Sequence, residues 1–227
     1  MRRSVLPITI IIIIAALGIF FSFTYKIPEI QVFQDFQNLD QEIVTCEKQN
    51  TNTLEENLNA LQLAVNQLII AGQTYDGTAD LSDTFKTFNE QYSMLKNYTE
   101  SVSACMSSAI EKTDFEKINK VLTKLPEQLM TIGTEMTSLQ QERTTKLTNL
   151  TLQLDSLVET LSNFEDMFYN TKTSEAVQYF QNVNVAFEEV QTSHTDYMTT
   201  VETYYAAKTN YYENIANKGA FEYIFGK

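Results

Sequence analysis

The chain has 227 residues and a net charge of −13, from 29 acidic and 16 basic side chains. That acidity argues against nucleic acid as a partner, because nucleic acids bind basic patches. One histidine and two cysteines are too few for a histidine-rich zinc site or a disulfide-rich scaffold. The sequence has no Gly-rich phosphate loop, Cys-x-x-Cys pair or nucleophile elbow, so we predict a non-enzymatic protein with no catalytic residues, cofactor or metal.

The first predicted element is a membrane anchor. Residues 5–24 carry no charge and follow Arg2 and Arg3, and about 20 apolar residues are enough to cross a bilayer core of about 30 Å. Two arginines before the run outweigh Lys26 after it, and basic residues stay cytoplasmic. We therefore predict a cytoplasmic N-terminus and a transmembrane signal-anchor helix within residues 1–27. The rest of the chain is then extracytoplasmic, at a cell surface, in the periplasm or in a secretory lumen.

The alternative is a cleaved signal peptide, which would leave a secreted soluble protein. Such a peptide needs a shorter apolar run and a small-x-small cleavage site. Ser22 and Thr24 form only a weak site, and the residues around them are bulky aromatics. Both interpretations put the same part of the chain outside the cytoplasm. That part holds 14 basic and 29 acidic residues, a net charge of −15.

Residues 28–218 are predicted to form long helices, because glycine and proline are scarce and apolar side chains recur at heptad spacing. In the last helix one apolar series repeats every seven residues, at Val183, Val190, Tyr197, Tyr204 and Tyr211. Such a seam is typical of coiled-coil packing. Together these features predict an all-α fold: a transmembrane helix followed by a long antiparallel up-down-up-down four-helix bundle with coiled-coil-like packing.

The helix bounds are predicted near residues 28–72, 81–124, 126–169 and 174–217. Pro126 favours ending the second helix just before it. Thr113 and Glu116 frame a competing capping box that would start a helix at Asp114. The sequence leaves the choice between Thr113 and Pro126 open, and equal helix lengths favour the break at Pro126.

Cys46 and Cys105 are predicted to form a disulfide. Counted from the middle of the first loop, near residue 76.5, they lie 30.5 and 28.5 residues away. Their depths along an antiparallel helix pair then differ by roughly 3 Å at 1.5 Å per residue. The predicted compartment permits oxidation.

Three polar side chains fall on the apolar seams: His194, Lys208 and Arg143. Each is either a structural residue that fixes register or, in the case of His194, part of a polar core or ligand pocket. Asn97 and Asn149 each begin an Asn-x-Thr tripeptide and are candidate glycosylation acceptors.

Residues 219–227 form a predicted aromatic tail. Phe221, Tyr223 and Phe225 are candidate contacts to the membrane or a partner, since aromatic side chains are enriched at bilayer interfaces. The leading functional hypothesis is a membrane-anchored, non-enzymatic module that binds an unknown protein partner or itself, or acts structurally. The alternatives are a ligand-sensing bundle that signals to a partner protein and a secreted soluble bundle.

Overall fold

The computed structural model describes residues 28–48, 54–73, 80–170 and 173–216, and these ranges are all-α without a β-strand. No helix within them is both long and apolar enough to cross a membrane. The predicted anchor in residues 1–27 and the predicted tail in residues 219–227 lie outside the described residues.

Seven helices make up the described part of the chain. They are α1 (Pro28–Lys48), α2 (Leu54–Gln73), α3 (Ser82–Glu111), α4 (Phe115–Leu122), α5 (Glu127–Leu161), α6 (Phe164–Asn170) and α7 (Thr173–Ala216). The predicted first helix therefore corresponds to α1 and α2, with residues 49–53 between them outside the described residues. The predicted last helix is α7.

The predicted second helix is wrong in its length, because it ends at Glu111 and α4 follows it. Asp114 caps α4 by accepting the backbone N–H of Lys117 at 2.8 Å, which satisfies one of the free donors of the first turn. Pro126 then stands immediately before α5. Both local signals are used, so the two predicted breaks are not alternatives.

The predicted third helix is also too long. It ends at Leu161, and α6 begins at Phe164. Ser162 closes α5, since its backbone N–H and its hydroxyl both donate to the carbonyl of Glu159. Such tighter bonds commonly end a helix without glycine or proline.

Contacts between the longer helices run antiparallel. α5 and α7 pack most extensively, with Lys146 paired to Asp196 near the middle and Thr160 contacted by Tyr179 towards one end. α3 also pairs with α1, and with α5. At the other end of the molecule the Tyr211 hydroxyl of α7 donates to the carbonyl of Glu29, in the first turn of α1.

The buried apolar side chains form two clusters. The proximal core, nearer the start of α1, joins α1, α4, α5 and α7 and is centred on Val32, Phe36, Ile118, Met136 and Tyr211. The distal core is larger and joins the remaining length of α1, α5 and α7 to α2, α3 and Phe164; it includes Leu61, Leu95, Leu154, Phe187 and Val190. Each fully buried side chain of this kind stabilises the fold by about 1.5–3 kcal/mol.

Gly133 marks a close approach inside the proximal core. A Cβ atom at this position would lie 2.5 Å from Leu122 Cδ2 and 3.0 Å from Tyr211 Cε2. Both neighbours are buried, so the site has little room for them to move. Glycine thus lets α4 and α7 pack directly against the α5 backbone.

Candidate functional site

A set of polar side chains separates the two cores. The set, here called the charged layer, consists of Asp40, Gln140, Arg143, Tyr204 and Lys208. Asp40 is only 5% exposed and Arg143 only 2%. Burying a charge in this way is costly unless it is paired and hydrogen-bonded, so the geometry of the layer determines its energy.

Asp40 is the acceptor at the centre of the layer. Its Oδ1 atom accepts from Arg143 Nη1 at 2.5 Å and from Gln140 Nε2 at 3.4 Å. Its Oδ2 atom accepts from Lys208 Nζ at 2.5 Å and from the Tyr204 hydroxyl at 3.1 Å. Oδ1 thus binds donors of α5 and Oδ2 binds donors of α7, so one side chain of α1 connects three helices.

Helical spacing explains why the donors converge. Gln140 and Arg143 are three residues apart on α5, and Tyr204 and Lys208 are four apart on α7. Side chains at these separations lie on the same face of a helix. Because α5 and α7 are antiparallel neighbours, the two pairs meet at one level, where Asp40 is presented by α1.

The layer carries more positive than negative charge. Arg143 and Lys208 both pair with Asp40, which leaves a net charge of +1. The Arg143 guanidinium also lies 5.2 Å from the ring centroid of Tyr204 and 5.4 Å from that of Tyr205, a distance at which aromatic faces attract cations. Its Nε atom has no hydrogen-bond partner among the described residues.

Ionisation within the layer is set by burial and by these neighbours. Burial lowers the pKa of Arg143, but the nearby Tyr197 and Asp40 outweigh it and hold the pKa above its ordinary value. Burial, together with Asp40, raises the pKa of the Tyr204 hydroxyl. Arg143 therefore stays cationic, and Tyr204 stays a neutral donor at neutral pH. The arrangement acts as a clamp between helices, because its donors are already directed at one acceptor.

The predicted disulfide is present. Cys46 of α1 and Cys105 of α3 are bonded, with their Cα atoms 5.7 Å apart and a separation of 59 positions in sequence. Cys46 is buried, whereas Cys105 is partly exposed. The disulfide and the charged layer are close in sequence on α1, since Asp40 and Cys46 are six residues apart.

Of the three polar seam residues, the structure brings two together. Arg143 and Lys208 both contact Asp40, while His194 is half-buried on α7 and is not part of the charged layer. His194 precedes Tyr204 by ten residues, about 15 Å along a helix. A role for His194 in a ligand pocket remains a prediction.

Sequence reasoning missed Asp40. The signal that could have found it is the presence of two cations on apolar seams, because buried cations require an anion at the same level. Asp40 lies four residues after the buried Phe36, which puts it on the same apolar face of α1.

Asn97 and Asn149 are exposed in the middle of α3 and α5. Thr99, the third residue of the first tripeptide, is buried and donates to the Leu95 carbonyl at 2.9 Å. Their glycosylation remains a prediction. The other candidate contacts, Phe221, Tyr223 and Phe225, lie outside the described residues.

Within the described ranges, no group of three or more His, Cys, Asp or Glu side chains is arranged to hold a metal ion. Comparison with known proteins gave no assignment: no family model matches the chain, and neither does any curated protein or solved structure.

Proposed function

We propose that this protein is a membrane-anchored, extracytoplasmic, non-enzymatic four-helix bundle that works as a structural or protein-interaction module. The observation that carries the proposal is the attachment of α1, the helix that directly follows the predicted anchor. A disulfide joins it to α3, and Asp40 joins it to α5 and α7. This attachment of α1 would hold the helical domain in a fixed orientation relative to the membrane.

The bundle arrangement is supported by the direction of the helix contacts. We infer that α1 with α2, α3 with α4, and α5 with α6 form three arms, and that α7 forms the fourth. The contacts of α1 with α3 and of α5 with α7 run antiparallel, and α3 also contacts α5. These contacts are those expected of an up-down-up-down order.

The predicted compartment is supported by the disulfide, because such bonds persist in oxidising environments outside the cytoplasm. The predicted contact of the tail with the membrane is supported by the end of α7. Tyr211 contacts Glu29 at the start of α1, so residues 219–227 follow a helix end that adjoins the anchor side. The tail would then begin close to the bilayer surface, where aromatic side chains are favoured.

Protease protection in sealed vesicles tests the topology. The helical domain should be digested only from the extracytoplasmic face, and digestion from the cytoplasmic face would refute the proposal. Extraction at high pH tests the anchor, because an anchored protein stays in the membrane and a peripheral protein is released. The intact mass of the native protein shows whether the N-terminal segment has been cleaved.

The interaction role is tested by cross-linking in the native membrane, with a photoreactive residue introduced at exposed positions. Leu63 and Ile70 are suitable, since both are large apolar side chains more than half exposed on α2. A matched position on the exposed part of α4, Lys120, serves as the control. A reproducible cross-link to one protein or to a second copy supports the module, whereas no specific cross-link from any position refutes an interaction role.

A further inference from the structure

A cleft of about 250 Å³ lies between α1 and the junction of α3 with α4. Its apolar part is formed by Leu39, Ala109 and Ile118. One side carries Asp35 and Asn38 of α1, and the other carries charged residues around the start of α4. The cleft is separate from the charged layer and contains none of its residues.

Most of the charges that line the cleft already have partners. Glu42 pairs with Lys112, with 3.5 Å between Oε2 and Nζ. The carboxylate of Asp114 accepts the backbone N–H of Lys117. The salt bridge pairs the charges of Glu42 and Lys112. Asp114 keeps its negative charge, which the N-terminus of α4 stabilises.

Besides Asp114 and the paired Glu42 and Lys112, two opposite charges line the cleft. The carboxylate of Asp35 on α1 and the ammonium of Lys117 on α4 both line the cleft, and neither side chain makes an ion pair or hydrogen bond with any described residue. No salt bridge joins these two side chains to each other. Asp35 is half-buried, so water screens its charge less than that of a fully exposed carboxylate.

We propose that this cleft binds a small zwitterion of the amino-acid class. The ligand's ammonium would pair with Asp35 and its carboxylate with Lys117, since charge-assisted hydrogen bonds of this kind are the strong ones. The Asn38 amide can donate and accept one further bond. Leu39 and Ala109 offer an apolar surface for a short side chain.

The size of the cleft favours this class of ligand. Sites for drug-sized molecules occupy roughly 300–1,000 Å³, so a cleft of about 250 Å³ fits a smaller molecule. The inference goes beyond the proposed module, and its failure would leave the protease-protection and cross-linking results unchanged.

The test uses the full chain in detergent and the standard free amino acids as probes. Thermal shift selects any probe that raises the melting temperature, because a ligand that binds only the folded state must stabilise it. Isothermal calorimetry then measures its dissociation constant. We expect at least one amino acid to bind, and no binding by any of them would overturn the proposal.

Blocked forms of the same probe test the two charges in the native protein. The N-acetyl derivative removes the ammonium, and the methyl ester removes the carboxylate. Each should bind about tenfold more weakly or worse, the usual cost of losing one charged hydrogen bond. If both blocked forms bind as tightly as the free amino acid, its two charges do not hold it in the cleft, and the zwitterion assignment is refuted.

Asp35→Asn and Lys117→Met should each weaken binding of the free amino acid about tenfold or more. Lys120→Met is the matched control, because Lys120 is on the same short helix but pairs with Glu116 away from the cleft. Binding unaffected by both cleft variants would place the ligand elsewhere and overturn the proposal. If either variant fails to fold, the blocked probes decide the question.

Discussion

Replacing Asp40 by asparagine tests the charged layer most directly. The change keeps the size of the side chain but removes the one anion that balances Arg143 and Lys208. Arg143 is 2% exposed, so its charge cannot be rehydrated without opening the core. Breaking a buried ion pair by removing one partner costs about 3–5 kcal/mol.

The other two single variants should cost less, for a reason visible in the structure. Lys208→Met leaves Asp40 and Arg143 as a matched pair, so no buried charge is left without a partner. Arg143→Met likewise leaves Asp40 paired with Lys208 and removes an Nε atom that has no partner in the described part of the chain. We expect Asp40→Asn to be the most destabilising of the three variants.

Urea unfolding of the full chain, with the disulfide intact, measures these differences as free energies of unfolding. A loss of about 3–5 kcal/mol for Asp40→Asn corresponds to a fall in melting temperature of about 6–20 °C for a domain of this size. The triple variant Asp40→Leu, Arg143→Met and Lys208→Met removes every formal charge of the layer. It should be more stable than Asp40→Asn, because it leaves no buried charge unpaired. It should be less stable than the native protein, because the buried Tyr204 hydroxyl and Gln140 amide lose their acceptor.

The order of the variants tests whether an unpaired buried charge controls the stability of the layer. If Asp40→Asn lowers the free energy of unfolding less than Lys208→Met does, an unpaired charge is not its main determinant. If the triple variant is as unstable as Asp40→Asn, then the polar contacts themselves, rather than their balance, stabilise the fold.

Four further outcomes are expected. Replacing Cys46 and Cys105 by serine should lower the free energy of unfolding by about 4 kcal/mol in the chain-entropy model, and peptide mapping of the native protein without reductant should recover the two cysteines linked. Gly133→Ala should lose about 1–3 kcal/mol in urea unfolding, as expected for overpacking a closed core. His194→Leu should preserve or raise the melting temperature, since an apolar residue suits a seam position. Truncation after Lys218 should leave the melting temperature nearly unchanged, and a drop of about ten degrees would show that the tail belongs to the core.

Heptad spacing predicted the helical class and the buried face of α7, because that face depends only on residues a few positions apart. Tyr197, Tyr204 and Tyr211 are all buried as the seam requires. Counting along the chain also predicted the disulfide. Both inferences depend on the regular rise and turn of a helix, which the sequence specifies locally.

The charged layer could not be predicted in the same way. The partners of Asp40 are 103 and 168 residues away in sequence, and its burial depends on how deeply three helices overlap. Heptad spacing predicts which face of a helix a residue occupies. It does not predict which residues of a neighbouring helix lie at the same position along the bundle axis. His194 shows the same limit, since it is on the expected helix but outside the layer.

Helix ends were predicted where a capping residue or proline marks them, and missed where neither does. Asp114 and Pro126 both mark breaks in the chain, whereas the assumption of equal helix lengths favours only one of them. The end of α5 at Leu161 has no such marker. It is closed by a bond from the backbone N–H of Ser162 to the Glu159 carbonyl, and a bond between backbone groups leaves no mark in the sequence.

The disulfide would have a mechanical consequence if the chain is tethered at its N-terminus, as proposed above. When a pulling force acts between the start of α1 and the end of α7, tension passes from Cys46 directly to Cys105 through the covalent bond. The intervening residues, which include all of α2 and much of α3, carry no load. Their 59 residues of separation would otherwise add roughly 200 Å of extension when drawn straight. Under tension the protein can therefore lengthen only when the part of α1 before Cys46 or the chain after Cys105 unfolds and extends.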